Sequence, residues 1–158
     1  HNHWGPSDLE LYGFDTGPAN RFYLYTNPGI CCTPWGDRPN YANEGVRSFI
    51  IDNFRMWQDE YHVDGFRWDA VGAMRHYDPG YVSIPEADTL IQYINTATIA
   101  PDAISFAEDA SSGVGFDGEW DHGFANQIIS QMTQANDVNR DMNALSGAIS
   151  GSGCSASL

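Results

Sequence analysis

Three side chains have the types and spacing of a reaction centre: Asp69, Glu108 and, two residues before the first, Arg67. The segment Val63-Asp-Gly-Phe-Arg-Trp-Asp69 reads as a short strand ending on an acid, and Ala103-Ile-Ser-Phe-Ala-Glu108 as a second. Side chains alternate along a strand, so Gly65, Arg67 and Asp69 share one face, as do Phe106 and Glu108. Thirty-nine residues separate the two acids. One βα unit of a closed parallel barrel takes about 31, so the gap fits one step to a neighbouring strand. Two carboxyls on one rim are the equipment for glycoside chemistry: one attacks an anomeric carbon while the other protonates the leaving oxygen. Arg67 would hold the attacking carboxylate ionised by charge pairing. The bland alternative is a strand-end acid that caps the next helix or pairs with a surface Arg, and spacing alone does not exclude it.

The elements that must position these groups follow from periodicity. From Glu44 to Tyr61 the apolar residues Val46, Phe49, Ile50, Phe54, Trp57 and Tyr61 fall at helical spacing, with Asn43 as N-cap. Pro85 and Glu86 open a helix whose buried stripe is Leu90, Ile91, Ile94 and Ala97. Phe124, Ile128, Ile129 and Met132 mark another helix. Met142, Leu145 and Ile149 mark one more, with Asp137 near its start. The order is loop, helix, strand, helix, strand, helix, helix, which implies parallel βαβ units with right-handed crossovers. Residues 4–43 are crowded with Gly, Pro, Asn and Asp and read as one long loop. Its aromatics favour an ordered, functional one, since loops of this length are usually functional or disordered.

Composition narrows the class. The 158 residues carry 7 basic and 21 acidic side chains, a formal charge of −14. That balance opposes binding to a phosphate backbone or an anionic membrane, so neither nucleic acid nor membrane is expected as a partner. No apolar run approaches the roughly 20 residues that cross a bilayer, and no signal peptide opens the chain. The three Cys make no disulfide framework, and the adjacent Cys31 and Cys32 make no metal signature; at least one of these two is expected as a small buried hydrophobe. The odd count points to a reducing compartment, so the cytoplasm is expected, with secretion the alternative.

Around the candidate acids the sequence resembles the α-amylase superfamily (glycoside hydrolase family 13), most of all the 1,4-α-glucan branching enzymes. His62-Val-Asp-Gly-Phe-Arg-Trp-Asp-Ala-Val71 is similar to the family's second conserved region and Phe106-Ala-Glu-Asp-Ala110 to its third. Asn2-His3 resembles the end of the first, Asp-x-x-x-Asn-His. The phrases Asn2-His-Trp-Gly-Pro-Ser-Asp8, Thr33-Pro-Trp-Gly-Asp-Arg-Pro-Asn-Tyr41 and Gly115-Phe-Asp-Gly-Glu-Trp-Asp121 read as branching enzyme. The Asp expected four residues before Asn2 and the fourth region, with its His-Asp, have no match in the 158 residues.

The resemblance implies a (β/α)8 TIM barrel. Residues 1–158 would form a partial catalytic domain from the end of the third strand to the helices after the fifth, with 4–43 as the loop after strand three. It implies Asp69 as nucleophile, Glu108 as general acid/base, and Arg67 and His3 as substrate-binding residues. The implied activity is retaining transfer on an α-1,4-glucan such as glycogen or starch, forming α-1,6 links. The alternatives are amylase-like hydrolysis and a non-catalytic glucan-binding relative. The chemistry needs no cofactor, and no ligand run suggests a metal. The remaining barrel segments would be partners in a full-length protein, without which the piece is expected to be inactive and poorly stable.

Other residues read as structural. Trp68 should point away from the acids into the helix layer. Asp109 should face opposite to Glu108 and form supporting hydrogen bonds. Trp4, Trp35 and Trp120 are expected to pack under loops, although sugar stacking is open to them. Asp117, Glu119 and Asp121 read as a solvated acidic loop.

Overall fold

The computed structural model describes residues 22–78, 80–109 and 111–150. They fall into two compact units, His1–Glu119 and Trp120–Leu158.

In the first unit, β1 (Cys32–Thr33) and β2 (Gly36–Asp37) form a small antiparallel hairpin within the long loop. An isolated bridge between Leu24 and Pro39 extends it. Helix α1 (Glu44–Asp59) follows, with Asn43 accepting from the Gly45 N–H as its N-cap. Then come β3 (Gly65–Trp68), a short helix α2 (Val71–Arg75), and a hairpin of β4 (His76–Tyr77) and β5 (Val82–Ser83). Helix α3 (Pro85–Tyr93) starts on its proline and runs into a π-helical turn, Ile94–Thr98. β6 (Ile104–Ala107) pairs parallel with β3, and β7 (Gly118–Glu119) pairs parallel with β6. The sheet order is β3-β6-β7, so among the described residues β6 is central. A helix between parallel neighbours is the βαβ arrangement expected from the sequence.

The core lies between this sheet and α1, α3 and the loop. Val46 and Ile50 of α1, Leu90 and Ile91 of α3, and Ile94 are buried. Trp68 packs its indole on Phe54 of α1 at 4.8 Å between centroids and edge-on to Phe116, so it does face the helix layer. Ala97 departs from expectation. The π turn carries an extra residue, which rotates Ala97 to the surface and lets Ile99 enter the core, its N–H bonded to Ile94 O. Gln58 of α1 clasps this turn, donating to Thr98 O and accepting from Ala100 N–H.

Arg38 ties the loop to the rest and is only 2% exposed. Its guanidinium donates to the carbonyls of Ile30, Ala73 (3.0 Å) and His76 (3.2 Å). Burial lowers its pKa below the ordinary arginine value, opposed by the neighbouring Tyr41 and Tyr25. Cys31 and Cys32 are joined in a vicinal disulfide. Cys31 is half-buried and Cys32 exposed, so the expected buried thiol is corrected: bonding between chain neighbours at a hairpin keeps both at the surface.

The second unit is a helical hairpin of α4 (His122–Met132) and α5 (Met142–Ile149). Asp121 caps α4 through the Phe124 N–H. Asp141, not Asp137, caps α5, bonding Asn143 and Ala144 N–H; Asp137 instead opens a single 3-10 turn. Among the described residues no helix is long and apolar enough to cross a membrane.

Replacing Arg38 with Met leaves three carbonyls without their donor. We predict a loss of about 2–4 kcal/mol and faster amide exchange across residues 22–41, read by urea unfolding and hydrogen-exchange mass spectrometry.

Candidate active site

The register of β3 on β6 sets the site. Gly65 pairs with Ile104, Phe66 with Ser105, Arg67 with Phe106 and Trp68 with Ala107. The Glu108 N–H then donates to Trp68 O at 2.9 Å. Asp69 and Glu108 are therefore the residues next after the last paired couple, at the carboxyl ends of two adjacent parallel strands. Such ends are where chemistry collects in parallel α/β folds.

Gly65 is required for this register. A Cβ there would fall on the Ile104 carbonyl oxygen, a backbone atom that cannot step aside.

The two acids meet on one guanidinium. Arg67 Nη1 bonds Asp69 Oδ1, and Arg67 Nη2 lies 3.1 Å from Glu108 Oε2. The forked cation thus holds both carboxylates on the same rim. All three remain accessible, with Glu108 the least exposed. Glu108 Oε2 also accepts from the Ala70 N–H at 2.7 Å, and Asp109 Oδ1 accepts from the Gly72 N–H at 2.9 Å. The bland role is therefore present as well: consecutive acids at the end of β6 bond the turn that opens α2.

That turn is unusual. Ala70 sits in the left-handed region at φ 41°, ψ 58° and is buried. A non-glycine residue there carries strain, and such strain collects at functional sites. The conformation aims the Ala70 N–H at Glu108. Sequence reasoning missed this contribution, because a main-chain donor leaves no residue-type signal. Asp109 forms the expected supporting hydrogen bond, accepting from the Gly72 N–H.

The remaining expected site residue, His3, lies outside the described residues, with Asn2 and Trp4. Trp35 and Trp120 are 60% and 46% exposed, so the expected packing under loops is corrected. The acids read as a merely solvated loop are also corrected. Asp117 accepts from Ser105 N–H, Glu119 from Ser111 N–H, and Asp121 caps α4, because each sits at an element end with unmet main-chain donors. Among the described residues no cluster of three or more His, Cys, Asp or Glu side chains is arranged to hold a metal.

The paired acids and the arginine thus stand at the strand ends, where parallel α/β folds collect their chemistry. No family model matches the chain. Individual proteins do. The 1,4-alpha-glucan branching enzyme GlgB of Fusobacterium nucleatum is 33% identical over 138 residues, which cover 78% of this chain and 22% of that enzyme. GlgB of Geobacillus stearothermophilus is 32% identical, over 77% of this chain and 21% of that enzyme. Malto-oligosyltrehalose trehalohydrolase of Saccharolobus solfataricus is 34% identical over 54% of this chain and 16% of that protein. A 1.4 Å crystal structure described as an alpha amylase from Salmonella typhimurium superposes with a TM-score of 0.54 and 23% identity, covering 80% of this chain and 22% of that one. This last likeness shows a fold related to the TIM barrel. The chain belongs to the α-amylase family, with its likeness running to the branching enzymes, and spans about a fifth of the length of the curated relatives it matches.

Ala70→Gly should relieve the left-handed strain and hold or raise the unfolding midpoint. Ala70→Val, β-branched in that region, should cost about 1–3 kcal/mol. Thermal melts of the two variants check the opposite signs.

Proposed function

We propose that the chain is a segment of a retaining, α-glucan-active catalytic barrel, from the end of the third strand to the helices after the fifth. In this reading Asp69 is the nucleophile, Glu108 the acid/base, and Arg67 and His3 bind the sugar at the reacting subsite. The observation that carries the reading is the single guanidinium of Arg67 bonded to both Asp69 and Glu108.

The geometry suits a double displacement. A carboxylate oxygen of Asp69 attacks the anomeric carbon of an α-1,4-linked glucosyl unit. The glycosidic bond breaks, and the leaving oxygen takes the proton of Glu108. We assign that proton to Oε1, since Oε2 is engaged by Arg67 and the Ala70 N–H. A hydroxyl of an acceptor then attacks the glycosyl-Asp69 carbon, gives its proton to Glu108 and releases the carboxylate. Arg67 favours the ionised carboxylate of Asp69 before attack and holds the side chain in place through both steps. No cofactor enters. The branching-enzyme relatives favour a sugar 6-hydroxyl as acceptor and an α-1,6 product; water in that role would make the enzyme a hydrolase.

The full-length protein incubated with an α-1,4-glucan should form new α-1,6 linkages, read by proton NMR of the anomeric signals. Reducing ends alone would replace branching with hydrolysis. Asp69→Asn should lower turnover by about four orders of magnitude or more, and retained activity would refute the nucleophile. Unchanged glucan in the presence of binding would leave a non-catalytic role. The 158 residues alone should turn over no glucan, and measurable turnover by them would overturn the proposal that further barrel segments are needed.

A further inference from the structure

Asp109 directly follows the acid of the proposed reaction, and both side chains reach the same turn. Glu108 Oε2 accepts from the Ala70 N–H at 2.7 Å, and Asp109 Oδ1 from the Gly72 N–H at 2.9 Å. The sequence of α2 makes it depend on such outside acceptors. Ala70 stands at its N-cap position, and alanine has no side-chain oxygen to offer the first turn. The N–H groups that open a helix must then be met from elsewhere. Consecutive acids at the end of β6 meet two of them. The body of α2 is held separately, by the buried Val71 and Met74 and by Arg38 on the Ala73 carbonyl at 3.0 Å.

The two pinned nitrogens bracket the backbone torsions of Ala70 and Val71. Ala70 is left-handed, at φ 41° and ψ 58°, a region that an alanine leaves unless its surroundings hold it there. The Ala73 N–H closes the turn on Ala70 O at 2.9 Å. Release of the Gly72 N–H removes one restraint on this strained residue. Relaxation of Ala70 toward the right-handed region then moves its N–H off Glu108 Oε2. Glu108 keeps Arg67 Nη2 at 3.1 Å but loses its shorter donor. Proton transfer needs the acid within hydrogen-bond reach and correctly aimed, and misplacement by about 1 Å costs up to about a hundredfold in rate.

We infer that Asp109 is a positioning residue for proton transfer by Glu108, acting through the Gly72 and Ala70 N–H groups of the α2 turn. The inference rests on the proposed function, in which Glu108 is the acid/base.

The test uses the full-length protein and two glycosyl donors. In a linear α-1,4-glucan the leaving sugar oxygen needs a proton; in α-maltosyl fluoride the fluoride departs with little help from an acid. The ratio kcat/KM covers the steps up to glycosyl-Asp69, so the return of the proton to Glu108 does not enter it. Asp109→Leu removes the acceptor at similar volume. It should lower kcat/KM about thirtyfold on the glucan and less than about threefold on the fluoride. Asp109→Asn keeps an acceptor oxygen and should return the glucan value to within about threefold of the unsubstituted protein. Glu108→Gln should show the same selectivity at about a hundredfold or more. Asp109→Ala, with the same expected pattern as leucine, is the second variant if leucine upsets folding. Equal losses on the two donors in the Asp109 variants, with Glu108→Gln still selective, would overturn the positioning role and leave the proposed function standing. A glucan loss in Asp109→Asn as large as in Asp109→Leu would overturn the route through the Gly72 hydrogen bond. Equal losses in Glu108→Gln itself would refute the acid, and the inference with it.

Discussion

One guanidinium joined to two carboxylates organises the rim, and it can do so only because β3 and β6 run parallel in a fixed register. Trp68 pairs with Ala107, so the next residue on each strand is an acid. Slip by one position would turn Asp69 or Glu108 to the other face, since side chains alternate. Arg67, on the same face as Asp69, then reaches both carboxylates at once. The positions of the three charged groups thus follow from main-chain pairing made several residues earlier, between Gly65 and Ile104.

The acidic composition finds its use in the same way. A formal charge of −14 suggests a solvated surface, yet many of these carboxylates hold main-chain N–H groups. Asp109 takes Gly72, Asp117 takes Ser105, Glu119 takes Ser111, and Asp121 and Asp141 open helices. Strand ends and helix starts are where main-chain donors lack partners, and short acidic side chains satisfy them. Even Glu108 shares this habit through Ala70, so a supporting role and an accessible carboxyl coexist in one side chain.

Much of this was legible in the sequence because it rests on period and residue type. Helix α1, with its Asn43 cap, the strand on either side of Arg67 and the outward turn of Trp68 all follow from spacing. The elements that escaped are short or irregular. Strands of two residues, such as β7, carry no period to detect. The π turn after α3 changes the helical count, so Ala97 and Ile99 exchange places relative to a regular stripe. Ala70 escaped because a left-handed alanine is dictated by its surroundings and not by its own preference. The vicinal disulfide escaped because adjacent cysteines pair only in particular backbone geometries. His3 was legible only through likeness to a family, and it lies beyond the described residues.

The absence of a side chain at Gly65 reaches further than its own strand pair. With the Ile104 carbonyl lodged where a methyl would stand, β3 and β6 are drawn together at their entry ends. The ladder from Gly65–Ile104 to Trp68–Ala107 is unbroken over four pairs, so the register set at the entry is kept at the exits. Glycine here acts as a gauge, fixing from the far end of the ladder that Asp69 and Glu108 emerge abreast of one another.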